Sequence, residues 1–279
     1  MLPNLLIIGA PKCGTTSLHE YLALHPDVWM SRNKELKFFT RDDWRDRVEW
    51  YEAQFPDPAA ARGESTPGYS MYPFLPSVAE RAHELIPEAR LIYVVRDPIQ
   101  RAVANFVEFV HLRYEDRSIG DALADVEDPA NPHICPSRYA TQLELYLRYF
   151  DPERVLVIDN ADLLEHRDET LREAFHFLDV DPSFTSPEFD RTHNTASVKV
   201  RYNDLGFWMV KHGIFTTRRS PFRRGPLVRP LRGLLSRPID TVLPSSTRER
   251  LVATLRPEVT RLRELTGKRF ASWSAFPVD

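Results

Sequence analysis

Only two cysteines, Cys13 and Cys135, occur in 279 residues. No disulfide framework can staple such a chain, and a reducing cytoplasm is its expected setting. Long apolar runs are missing too: none approaches the ~20 residues a membrane-spanning helix needs. Residues 1–10 carry no basic stretch ahead of an apolar one, so neither anchor nor signal peptide is expected. The histidines show no His-Glu-x-x-His spacing, and no metal is expected. Neither a Gly-x-Gly-x-x-Gly turn nor a Ser-His-Asp constellation occurs. The last shortage is of acid. Between Asp204 and Asp240 there is none, while Lys211, Arg218, Arg219, Arg223, Arg224, Arg229, Arg232 and Arg237 are all basic.

That gap divides the chain electrically. From Leu205 onward 15 Lys/Arg stand against 5 Asp/Glu, whereas the preceding residues hold 22 against 35. The asymmetry points to an anionic partner for the Arg/Pro-rich segment 205–245. Nucleic acid is not expected, because no reading motif accompanies the charge and the whole chain carries −3. Peripheral contact of 205–239 with anionic lipid headgroups, or with an acidic acceptor, suits the composition. Trp208, Phe215 and Phe222 would then be its apolar anchors. A plain solvated face is the alternative.

What is present is an alternation of strands and helices. Leu5–Gly9, Arg90–Val95 and Arg154–Ile158 read as buried strands, and Arg62–Tyr69 as a short strand running into a turn. Helical patterns cover about Thr15–Leu24, Asp46–Phe55, Leu75–Leu85, Ile99–Leu112, Tyr139–Tyr149 and Glu169–Leu178. Residues 114–136, polar and proline-bearing, read as a mobile insertion over the site. Ser246-Thr247-Arg248-Glu249 reads as the cap of a last helix reaching Leu265, interrupted at Pro257. The pattern predicts βαβ units around a central parallel sheet.

The most informative stretch is LLIIGAPKCGTTS, residues 5–17. A strand, a tight loop and a helix start form a seat for phosphate or sulfate, since a helix N-terminus offers unpaired N–H groups and partial positive charge. Gly9-x4-Gly14 followed by Thr15-Thr16 nearly spells the Walker A loop, but Thr15 stands where its lysine belongs and Lys12 lies inside the loop. A P-loop kinase or nucleotide hydrolase therefore fits poorly. Arg96, after the second strand, is placed to meet Lys12 at the carboxyl edge of the sheet, where open parallel sheets bind ligands. Together they suit an anion with two charged ends.

Pro11-Lys12-Cys13-Gly14-Thr15-Thr16-Ser17 resembles the 5′-phosphosulfate loop of sulfotransferases that use 3′-phosphoadenosine-5′-phosphosulfate (PAPS). Arg96-Asp97-Pro98-Ile99-Gln100-Arg101-Ala102 resembles their 3′-phosphate segment. Lys34-Glu35-Leu36-Lys37-Phe38-Phe39 is similar to the segment that carries the catalytic glutamate in heparan-sulfate-type members. Arg138–Leu143 and Phe177–Val180 also fit, so the likeness runs over about residues 4–200 in the expected order. It implies one sulfotransferase domain over residues 1–279, a P-loop-like three-layer α/β/α fold, and PAPS as co-substrate without a metal. The acceptor would be a glycan, a glycolipid or a small metabolite.

The resemblance further implies roles for individual residues. Lys12, with the loop amides and the Thr15 and Thr16 hydroxyls, would hold the phosphosulfate and meet the leaving oxygen. Glu35 would be the general base and Lys37 would steady the sulfuryl oxygens; on spacing alone, Glu35 reads as a solvated glutamate between two lysines. Arg96 would bind the 3′-phosphate, and Asn194, Lys199 and Arg201 would close over it. Glu64 and Ser65 would line the acceptor cleft. The family places a serine eight residues after its arginine, where this chain has Ala104; losing that charge-assisted bond costs about 1.5–3 kcal/mol unless Asn105 or a later residue compensates. A non-catalytic anion- or membrane-binding protein on the same fold remains the alternative of another class.

Overall fold

Leu5–Gly9 becomes strand β1, buried along its whole length. In the computed structural model, which describes residues 1–190, 199–212 and 233–278, it is the middle of a five-stranded parallel sheet. With β2 at Val28–Met30, β3 at Ala61–Ser65, β4 at Arg90–Val95 and β5 at Val155–Asp159, the order is β2-β3-β1-β4-β5. Ile7 lies opposite Ser65 on one side and Ile92 on the other. The chain crosses first to one side of β1 and then to the other, so the loops after β1 and β4 diverge at the carboxyl edge. That divergence opens the crevice in which such sheets hold ligands.

Helices α1 (Thr15–Leu22), α2 (Val48–Glu52), α3 (Val78–Leu85), α4 (Pro98–His111), α5 (Ile119–Ala122), α6 (Tyr139–Leu147), α7 (Asn160–Glu165) and α8 (Arg167–Phe177) complete the α/β/α layering. Strand β6 (Val200–Tyr202) pairs antiparallel with β7 (Ser236–Pro238), beside α9 (Asp204–Lys211). Among the described residues no helix is long and apolar enough to cross a membrane.

Three local expectations need correction. The last helix, α10, runs unbroken over Ser245–Thr266 with Pro257 inside it. An interior proline costs about 3 kcal/mol; here Leu251, Leu255, Val259 and Leu262 are buried along one face and hold the helix together. Its N-terminus is preceded by Pro244 and has no side-chain cap, so Ser246 does not form the expected box. The insertion 114–136 is packed rather than loose. Ile119, Leu123, Val126 and Ile134 are buried, and its polar residues pair with one another, His133 Nε2 lying 3.1 Å from Glu115 Oε2.

Candidate active site

The site grows from the sheet's carboxyl edge. After Gly9 the chain turns through residues 10–14, tied to β4 by the Ala10 amide donating to the Val94 carbonyl (2.7 Å). Gly14, at φ 92°, is the residue before α1 and supplies no side-chain cap. Only glycine takes that backbone freely, and a Cβ there would lie 2.4 Å from Asn160 Nδ2. The loop is thus pressed against α7 with the first turn of α1 behind it. Among the described residues six non-glycines have positive φ, and three of them are Lys12 (72°), Glu35 (64°) and Lys37 (54°). Such backbone persists only where its surroundings over-determine it, and it gathers at functional sites.

Lys12 Nζ lies 2.9 Å from Glu108 Oε2, and Lys199 Nζ meets the same oxygen. Burial pushes the Lys12 ammonium below the ordinary lysine range, with Glu108 offsetting part of the effect. Arg96 Nη1 donates to the Lys12 carbonyl at 3.4 Å, and Nη2 to Gln100 Oε1 at 3.0 Å. The obvious alternative partner, Asp97, is engaged as the N-cap of α4, accepting from the Ile99 and Gln100 amides. Tyr139 fastens the two loops: its hydroxyl donates to the Arg96 carbonyl (2.8 Å) and lies 3.6 Å from Cys13 Sγ. Cys13 is wholly buried, and burial pushes its thiol up to about 11, so it remains a neutral spectator.

Glu35 and Lys37 are exposed on the β3 side of the loop, and Lys34 Nζ approaches Glu35 Oε1 at 3.4 Å. Their backbone is held from below. The Glu35 amide donates to the Ser65 carbonyl (2.9 Å), and the Lys37 amide to Thr66 Oγ1 (3.2 Å). Thr66, Tyr51 and Tyr69 in turn donate their hydroxyls to the Glu64 carboxylate at 2.6, 2.8 and 2.6 Å. Phe38 stacks on Tyr51 at 3.9 Å between ring centroids and closes this floor.

Glu64 and Ser65 are therefore placed differently from expectation. Both are completely buried, so neither lines an acceptor cleft. Glu64 is the hub beneath the segment that presents Glu35. Burial raises its pKa while the three hydroxyls and the Leu36 amide oppose the rise. Glu64→Ala would strand three buried hydroxyls, each worth about 1–3 kcal/mol unsatisfied. It is expected to destabilise the fold by about 3 kcal/mol or more, measured by urea unfolding. A loss below about 1 kcal/mol, the size of one ordinary hydrogen bond, would show that Glu64 holds little.

The remaining predicted residues divide. Lys199, expected at the 3′-phosphate, instead shares the Glu108 carboxylate with Lys12 of the loop. Arg201 instead donates to the carbonyls of Asp116 and Arg117, in the insertion. Asn194 lies outside the described residues, as do Phe215, Phe222 and most of the basic arginines. Asn105 does not replace the missing serine: it is buried, with its amide donating to the Pro132 carbonyl and 3.2 Å from His133 Nδ1. Four residues had no assigned role: Glu108, Tyr139, Asn160 and Arg101. Arg101 is fully buried and donates to Ser137 Oγ and the His133 carbonyl, and its Nη1 has no hydrogen-bond partner among the described residues. Its charge lies near Cys13 and Tyr139 and opposes the upward shift of both. The only sequence signal was its place in the Arg-x4-Arg pattern with Arg96.

Comparison with known proteins gives the family. Residues 2–224 match the sulfotransferase domain family. The chain is 29% identical over 207 residues to bifunctional heparan sulfate N-deacetylase/N-sulfotransferase 1 of Caenorhabditis briggsae, covering 67% of this chain and 23% of that protein. It is 29% identical over 206 residues to the human enzyme 3 of the same name, with the same coverage. The chain thus spans about a quarter of these relatives' length. Among solved structures, a sulfotransferase from Alicyclobacillus acidocaldarius superposes with a TM-score of 0.69 at 23% identity, covering 98% of this chain and 99% of that one. Mouse sulfotransferase SULT7A1, complexed with PAP, gives 0.54 at 13% identity, covering 92% and 84%. The match to the family model over residues 2–224, most of the chain's length, shows that the chain belongs to the sulfotransferase family.

Proposed function

We propose that the chain transfers a sulfuryl group from PAPS to an acceptor hydroxyl, by in-line displacement without a metal ion. The observation that carries this reading is the coincidence of three left-handed residues, Lys12, Glu35 and Lys37, at one sheet edge. The donor set suits the co-substrate: an uncapped helix start, Lys12 and Lys199 offer amides and ammonium groups to a phosphosulfate, and Arg96, at the end of the neighbouring strand and touching the same loop, is there for a second phosphate. Lys12 neutralises charge developing on the leaving phosphate oxygen, a task for fixed cations in a partly desolvated site. Glu35, beside Lys34, accepts the proton of the attacking hydroxyl, and Lys37 steadies the sulfuryl oxygens. The names of the heparan sulfate relatives make a carbohydrate the first acceptor class to test, with small hydroxylated metabolites second.

A kinase is disfavoured by Thr15, which is buried where the Walker lysine would reach phosphate. Incubation with labelled PAPS and an acceptor panel, with and without magnesium, decides between them. Magnesium-independent sulfation is the expected result; magnesium-dependent ATP turnover without sulfation would overturn the proposal.

A further inference from the structure

Glu108 is an acid facing a site built for anions, and that is its puzzle. It lies on α4 one turn beyond Ala104, on the same row of the helix as i and i+4 positions do. Its Oε2 takes both Lys12 Nζ, from the loop, and Lys199 Nζ, from the segment leading into β6. One turn further along, His111 Nδ1 lies 2.9 Å from the Val200 carbonyl and fastens β6 to the same helix. The Glu108 side chain is only 22% exposed. These two cations, which the proposed reaction assigns to the phosphosulfate, thus share one carboxylate oxygen of the chain's own.

We propose that Glu108 is a displaceable counter-ion: it holds Lys12 and Lys199 until the 5′-phosphate or phosphosulfate of the nucleotide takes them over, and it reclaims them when the bisphosphate product leaves. This rests on the PAPS reading above. Two half-buried ammonium groups side by side attract an anion strongly, and with no acid of the chain's own between them the bisphosphate product would be held. With Glu108 present, every binding event exchanges one anion for another. The nucleotide therefore binds less tightly than the lysines alone would allow, and product release is assisted. Because binding of the nucleotide and of the carboxylate to the same lysines is competitive, the coupling is reciprocal and negative.

The test is equilibrium binding of adenosine 3′,5′-bisphosphate, followed calorimetrically, to the wild-type chain and to Glu108→Gln and Glu108→Asp. Glu108→Gln keeps the side chain's shape and removes its charge, and is expected to lower the dissociation constant about tenfold. Glu108→Asp, whose carboxylate is withdrawn by one methylene, is expected to fall between the two. Stopped-flow displacement should place the gain in a slower release of the bisphosphate. An unchanged or weakened affinity in Glu108→Gln, with a melting transition like that of the wild type, would overturn the proposal and make Glu108 a positioning residue that the lysines need in order to bind. If the wild-type chain itself fails to bind the bisphosphate, the PAPS reading falls and the counter-ion falls with it. Binding by the wild type without tightening in the variant removes the counter-ion alone.

Discussion

Glu35→Gln is expected to reduce sulfate transfer by about 10²–10⁴-fold, the usual scale of a lost general base, while leaving the affinity for adenosine 3′,5′-bisphosphate unchanged. The separation follows from where the residue sits. Glu35 is on the β3 side of the loop, held by its own amide to the Ser65 carbonyl, whereas the nucleotide's anionic groups fall to Lys12, Lys199 and Arg96. Glutamine has the same shape, keeps an oxygen for Lys34, and tolerates the left-handed backbone no worse than glutamate. What it cannot do is take a proton from an incoming hydroxyl. Single-turnover transfer and calorimetric binding on the same preparation check both halves. Survival of transfer would mean that another group is the base. Loss of bisphosphate binding along with transfer would mean that the segment had moved, and that the charge was structural.

How far the site could be read in advance follows from how local its causes are. The β1–loop–α1 unit was legible because its chemistry is written in consecutive residues: an apolar run, two glycines, a lysine between them and a helix start. The pairing of Lys12 with Arg96 was legible for a different reason, since parallel strands must deliver their following loops to the same edge. Glu64 was misplaced because its surroundings are tertiary. Nothing near Gly63-Glu64-Ser65 announces that Tyr51 and Tyr69 will bring hydroxyls to it and remove it from solvent.

Glu108 was missed on the same ground. It is one more acid on an amphipathic helix until the loop after β1 and the residue before β6 bring Lys12 and Lys199 to it. The three-residue strand β2 is too short to show a period, and the insertion reads as loose because its polar residues find their partners, as Glu115 finds His133, only in the fold. Pro257 shows the reverse: a strong local signal overridden by the packing of one buried face.

Lys12→Ala is expected to lower the turnover number by about 10²–10³-fold, as removal of one fixed donor at a developing oxyanion does. It should also weaken bisphosphate binding about tenfold or more, because charge-assisted hydrogen bonds of about 1.5–3 kcal/mol are lost from both states. The pH profile gives a sharper reading. Lys12 acts as the ammonium, and burial depresses its pKa below the ordinary lysine range while Glu108 pulls the other way. In the free enzyme the charged form is therefore complete at lower pH and is lost as pH rises through that depressed value. The alkaline limb of kcat/KM should accordingly fall below where an exposed lysine would put it. Glu108→Gln removes the opposing pull, so its alkaline limb should move further toward neutrality. Lys12→Arg supplies a cation that does not titrate in this range, so whatever activity remains should show no limb from this position. An alkaline limb that is the same in all three proteins would mean that another group sets it, and would sever Lys12 from the chemical step.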